Sequence, residues 1–164
     1  MRRRLIITTA LAATATLAIA AAGPLGANAK AKHVTQLTCA FELFPQGPPQ
    51  GVPPIANSFG LVACPRPLGK GLHYGSATAT QTGDGRGTVA VSFKKYFDQG
   101  TISGTVAGTF AAASQTNIAY EGVVTVTGGT GRFKHVKGSG KLACTSADGG
   151  PHKSCTVRLR LRGL

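Results

Sequence analysis

The sequence has no tryptophan and only five acidic residues among its 164, and its body is poor in the leucine and glutamate of a helical bundle. Charged residues reach only 14% against 42% hydrophobic ones, which excludes a disordered polyelectrolyte. There is no C-x-x-C and no close histidine pair, so zinc-site spacing is absent and no metal is expected. No G-x-S-x-G elbow or triad ordering occurs either. No residue set identifies a reaction or a cofactor, which leans the reading away from an enzyme without deciding it.

What is present begins with an address. Arg2, Arg3 and Arg4 precede an uncharged stretch from Leu5 to Ala22, then the helix-breaking Gly23-Pro24 and the A-x-A pattern Ala27-Asn28-Ala29. This reads as a signal peptide over residues 1–29, cleaved after Ala29, and predicts a secreted protein, extracellular or periplasmic. A retained anchor is the competing reading, opposed by the Ala/Thr dilution and the cleavage pattern. No cysteine follows closely, which argues against a lipoprotein. Residues 30–164 then form a single domain with 15 basic and 5 acidic residues, a charge of about +10 that suits either solubility or anionic partners.

Export sets the reading of Cys39, Cys64, Cys144 and Cys155. An even count in an oxidising compartment predicts two disulfides. Of three connectivities we favour Cys39–Cys64 and Cys144–Cys155, since each pair is nearest in sequence and flanks a turn-rich segment.

The domain reads as strands at about 33–44, 58–64, 72–81, 87–95, 101–113, 117–127, 136–146 and 155–162. Alternation puts Ile102, Gly104, Val106, Gly108 and Phe110 on one face, as it does Ile118, Tyr120, Gly122, Val124 and Val126. It is sharpest at the end, where Val157, Leu159 and Leu161 oppose Arg158, Arg160 and Arg162. Turn signals sit at Gly83–Gly87, Asp98–Gly100 and Asp148–Pro151. A Pro-rich loop, 45–57, holds five prolines between Pro45 and Pro54 and is expected outside the sheet, tethered by Cys39–Cys64 or covering a cavity mouth. Together these predict an all-β fold, one small antiparallel β-barrel of about eight strands, because closure removes exposed edges. Whether its interior is filled or holds a ligand stays open.

Residues 125–138 carry the segment Gly128, Gly129, Thr130, Gly131, Arg132, Phe133, with Val136 and Gly138 following. This G-G-T-G-x-F segment resembles that of the dirigent and allene oxide cyclase-like barrels, where it links two late strands; the resemblance covers about forty residues, Gly104 to Leu142. It implies a barrel. It also implies either steering of phenoxy-radical coupling or isomerisation of an oxidised fatty-acid derivative, both relying on polar or acidic groups in an apolar barrel. No acidic pair sits in the early strands here, so no catalytic residue carries over. By the residues alone, Gly128 and Gly129 permit an abrupt exit from the strand, Thr130 caps one helical turn, and Phe133 plugs a barrel end. A phosphate cradle with Arg132 is the rival, lacking the Lys-Ser/Thr ending of a P-loop.

Candidate chemistry is thin. Glu42 and Glu121 fall opposite the interior faces; were Glu121 turned inward, it and the adjacent Tyr120 would be the candidate general acid/base. His33, His73, His135 and His152 are scattered and read as surface or turn histidines. The exposed feature that stands out is Arg158, Arg160 and Arg162, extended by Lys137 and Lys141. It reads as charge guarding an outer sheet face or as a binding site for an anionic cell-surface polymer. The expected function is a non-enzymatic barrel binding a small apolar ligand in its cavity, an anionic surface, or both. The alternatives are an allene oxide cyclase-like isomerase on a lipid-like or phenolic substrate and a ligand-free structural envelope protein. No specific nucleic acid is expected as a partner, and an oligomer is allowed.

Overall fold

The computed structural model describes residues 33–47, 51, 54–150 and 152–164. The expected signal peptide and its cleavage position lie outside the described residues, as do three of the five prolines between Pro45 and Pro54.

The strands are β1 (Val34–Pro45), β2 (Ile55–Ala63), β3 (Lys70–Gly83), β4 (Arg86–Phe97), β5 (Gly100–Ala112), β6 (Ile118–Gly129), β7 (Lys137–Ser146) and β8 (Lys153–Arg162). Each pairs antiparallel with the next, and β1 pairs with β8 over ten positions from Val34–Arg162 to Leu43–Lys153, so the sheet is a closed barrel. The all-β expectation is met. Among the described residues one 3-10 turn, Gly131–Phe133, lies between β6 and β7.

Local chemistry explains the connections. Between β3 and β4, Asp84 and Gly85 both have positive φ, 48° and 68°, the two-residue geometry that follows the twist of the paired strands. Gly149 and Gly150 take positive φ in the β7–β8 loop. The Pro-rich loop is shorter than its expected 45–57 range. Pro45 closes β1 opposite Ser58, and Ile55 to Asn57 already pair with Thr78 to Ser76 of β3. Proline is tolerated at a strand end, where a missing N–H costs the ladder little.

Inward residues build the core. Leu37, Cys39 and Phe41 of β1, Phe93 and Phe97 of β4, Val124 and Val126 of β6, and Val157, Leu159 and Leu161 of β8 are all buried. Gly138 and Gly140 of β7 leave room for their β8 neighbours, since a Cβ there would meet Leu161 Cδ2 at 2.9 Å and Leu159 Cδ2 at 2.8 Å. Both disulfides join directly opposed inward residues. Cys39–Cys64 and Cys144–Cys155 have Cα–Cα distances of 4.2 and 4.0 Å, as expected from nearest-neighbour pairing.

The G-G-T-G-x-F segment closes one end of the barrel. Phe133 is fully buried and meets the Phe97 ring edge-on at 5.9 Å, with Val136 buried beside it. Two details differ from expectation. The positive φ falls on Gly131, at 57°, and not on Gly128 or Gly129. Gly129 is instead a close-approach site, where a Cβ would lie 1.9 Å from the Thr101 carbonyl oxygen. Thr130 does not cap the turn with its side chain: its Oγ1 accepts from Thr101 N at 3.1 Å and meets Thr101 Oγ1 at 2.9 Å, tying the turn to β5. Arg132 Nη1 donates to Gln99 Oε1 at 2.9 Å.

Candidate functional site

The barrel is hollow. A cavity of about 530 Å³ runs through it, lined by inward side chains including Phe41, Val91, Phe93, Val106, Val124 and Leu159. Phe133, Phe97 and Leu68 stand at the plugged end. The opposite rim carries Pro45, Gly47, Ala56 to Ser58, Tyr120, Gly149, Gly150 and Lys153. The described flanks of the Pro-rich segment therefore border the cavity.

Deep in this apolar space, toward the plugged end, lie Lys95 of β4 and His73 of β3. Both are buried, at 8% and 5% exposure. The β3–β4 register sets His73 directly opposite Lys95, and Lys95 Nζ lies 3.0 Å from His73 Nδ1. An ammonium can only donate, so Nδ1 is the acceptor and the ring proton sits on Nε2. That Nε2 has no hydrogen-bond partner among the described residues and packs against Gly75, where a Cβ would meet it at 2.7 Å. The His73 ring stacks between Phe41 and Phe93, with centroids 5.6 and 6.3 Å away. Lys95 Nζ lies 3.7 Å from the Phe41 ring centroid, a cation–π contact strengthened by exclusion of water.

Burial acts on both groups. Desolvation lowers Lys95 to a pKa of about 7. Desolvation first and the Lys95 charge second lower His73 to about 3. No carboxylate of the described residues is bonded to either. At neutral pH the imidazole is therefore neutral and the lysine is divided between ammonium and free amine.

A second polar group sits at the rim. Tyr120 is half-buried and Lys153 Nζ lies 5.2 Å from its ring while donating to the Gly150 carbonyl. Burial, then the charge of Asp148, raises the Tyr120 hydroxyl; burial lowers Lys153 against the opposing pull of Asp148. Asp148 is itself held low, chiefly by the hydrogen bond from Ser146 Oγ at 2.8 Å.

The sequence-derived candidates distribute as follows. Glu121 borders the cavity but is exposed, and strand alternation turns its side chain away from the side Tyr120 faces. Glu42 is likewise outside, accepting from Ser154 Oγ at 2.8 and 3.0 Å. Arg158, Arg160 and Arg162 project outward from β8, with Lys141 directly opposite Arg158 and Lys137 opposite Arg162. His33, His135 and His152 are exposed, as read. His73 is a correction: it is a core residue, because Leu72 and Tyr74 point outward and leave their neighbour facing in. Lys95 was missed altogether. Its signal was present, since Val91, Phe93, Lys95 and Phe97 share one alternation phase, which puts Lys95 on the aromatic face of β4. Among the described residues no three His, Cys, Asp or Glu groups converge as a metal site.

No known family profile matches the chain, and no curated protein matches it. Among solved structures, one described as "Pyocyanin demethylase" aligns over 77% of this chain and 99% of its own, at 15% identity and a TM-score of 0.43. A likeness of that degree carries no functional argument.

Two disulfides fit a location outside the cytoplasm. Among the described residues no helix is long and apolar enough to cross a membrane, which says nothing of spanning by strands.

Proposed function

We propose that the protein is an exported, non-enzymatic binder that holds one small, largely apolar molecule in its barrel, with an oxygen acceptor of that molecule set against Lys95. The observation that carries this is the cavity itself. Its volume of about 530 Å³ falls within the roughly 300–1,000 Å³ of small-molecule sites, which pair apolar walls with a few placed polar groups. Lys95 and His73 are such a group. Export rests on the reading of residues 1–29 as a signal peptide together with the two disulfides.

The isomerase alternative drawn from the dirigent and allene oxide cyclase resemblance relies on polar or acidic groups within the barrel. His73, Lys95 and Tyr120 are polar groups there, and what the inward faces lack is the acidic kind. All five carboxylates belong to exposed residues: Asp84, Asp98 and Asp148 in turns, Glu42 and Glu121 on outer strand faces. The binder reading is favoured accordingly over the enzyme.

Nile red, an uncharged solvatochromic dye, tests the proposal. Fluorescence should rise and saturate near one dye per chain, and Val91→Trp, which fills the cavity, should weaken binding about tenfold or more, the loss of roughly 1.4 kcal/mol. Dye binding unchanged by Val91→Trp, or absent from the folded protein, would reject a cavity binder and favour a ligand-free structural role.

A second reading stands on a separate observation. Lys141 faces Arg158 and Lys137 faces Arg162 across β7 and β8, and directly opposed like charges destabilise a sheet unless an anion lies between them. This outer face is proposed to contact an anionic cell-surface polymer, and its retention on heparin should fall with salt.

A further inference from the structure

We propose that Lys95 is a covalent capture residue, its amine condensing with the carbonyl of an apolar aldehyde or ketone held in the barrel to form an imine. This rests on the cavity-binder reading and specifies the class of molecule the cavity takes.

The geometry supports the step in three ways. First, Lys95 Nζ lines the cavity and is enclosed by Phe41, Phe93 and the uncharged His73 ring, with no carboxylate bonded to it. A buried ammonium without a counter-ion is costly, so the site holds far more of this lysine as the free amine, the nucleophilic form, than an exposed lysine would carry. Second, His73 Nδ1 lies 3.0 Å from Lys95 Nζ, and the stack of His73 between Phe41 and Phe93 holds the imidazole against the amine at that distance. Third, the amine lies toward the plugged end among apolar walls, a setting that slows hydrolysis of an imine relative to one on an exposed lysine.

The titratable groups of β3 and β4 and of the elements bordering the cavity are consistent with this. Beyond His73, those lining it are Tyr120, Glu121 and Lys153, all at the opposite rim.

The step balances without a co-reactant. Nζ attacks the carbonyl carbon, forming the C–N bond while a proton passes from nitrogen to oxygen to give a carbinolamine. The C–O bond then breaks, C=N forms, and the carbonyl oxygen leaves as water with both amine hydrogens. His73 Nδ1 lies within reach to relay the proton.

Decanal is a suitable probe, with decanol as its non-electrophilic counterpart. Full-length protein is incubated at pH 7 with one equivalent of decanal and sodium cyanoborohydride, which reduces an imine to a stable secondary amine, and the adduct is mapped by peptide mass spectrometry. With a Lys95 pKa of about 7, its free-amine fraction exceeds that of an ordinary lysine near 10.5 by about 10³-fold. Labelling at Lys95 should exceed that at exposed Lys94, its outward neighbour on β4, by about tenfold or more, even with the lower nucleophilicity of a weaker base. Lys95→Met should abolish the preferred adduct, and Lys94→Met should retain it. Labelling spread over exposed lysines with Lys95 unmodified, while decanol still displaces Nile red, would overturn imine capture and leave the binder reading standing. Failure of both decanol and decanal to displace Nile red, with Lys95 unlabelled, would overturn both. The map of the unsubstituted chain decides the matter even if a variant fails to fold.

Discussion

The β7–β8 and β2–β3 pairs lie in one ring and obey the same inward–outward alternation, yet they distribute side chains in opposite ways. On β7–β8 the apolar residues Leu142, Val157, Leu159 and Leu161 face in, while the basic Lys137, Lys141, Arg158, Arg160 and Arg162 face out. On β2–β3 the bulk is outside. Phe59 opposes Tyr74 and Leu61 opposes Leu72, and these four residues are 41–65% exposed. Facing in are Gly60, Val62, Gly71, His73 and Gly75. In a closed sheet, pairing register decides which side of a strand faces the lumen, because every neighbour must turn the same way. Local hydrophobicity of one strand is outvoted. The glycines of β2–β3 thin the wall from within, and the space admits the Phe41–His73–Phe93 stack and the Lys95 amine.

That contrast can be broken most forcefully by truncating matched leucines. Leu161→Ala, from a residue with no exposure, should cost about 2–5 kcal/mol in urea denaturation. Leu61→Ala, from one 65% exposed, should stay within about 0.5 kcal/mol. Equal costs would mean that β2 is turned the wrong way. The bridges sharpen the comparison next, since each region is flanked by one. Chain-entropy arguments give about 3.5 kcal/mol for the 25-residue Cys39–Cys64 loop and about 2.8 kcal/mol for the 11-residue Cys144–Cys155 loop. Paired Ser substitutions should follow that order, and a reversal would show that denatured-state loop length does not govern them.

The buried amine predicts a pH effect confined to the β3–β4 side. Folded Lys95 loses its proton above about 7, whereas the unfolded chain holds it to 10.5. Between these values the unfolded state binds more protons, so stability rises with pH. The melting temperature should climb from pH 7 to pH 9, and Lys95→Met should remove most of the climb. A parent profile as flat as the variant's would contradict burial of the amine. The smallest effect belongs to the basic face. Arg158/Arg160/Arg162→Ser should raise stability slightly, by no more than about 1 kcal/mol as two opposed like-charge pairs are relieved, while shifting heparin elution to lower salt, and unchanged elution would dismiss the anionic-surface reading.

Much of this architecture was legible from residue order, for physical reasons. In β8 both criteria agree, since the arginines alternate with Val157, Leu159 and Leu161, and Cys155 falls in phase with that apolar set. Asp84-Gly85 announces its hairpin because few residues other than glycine and Asp/Asn accept positive φ. The interior of β3 was not legible. Leu72 and Tyr74 look like core residues when that strand is considered alone, and only the partners across the sheet reverse them. Lys95 was legible in principle, through its phase with Phe93 and Phe97, but a lysine is so seldom buried that its residue type argues the other way. The cavity is a property of the closed ring and has no signature within any one strand.

The β1–β8 seam has a further consequence. Val34 lies opposite Arg162, so the first and last strands end side by side, and the connectivity of the ring is almost circular. A short polar linker from Leu164 to Val34 would complete the cycle, and the chain could then be opened at another hairpin, such as Asp84-Gly85, without disturbing any strand pair. Where the polypeptide starts is, for this molecule, a matter of genetic order and not of architecture.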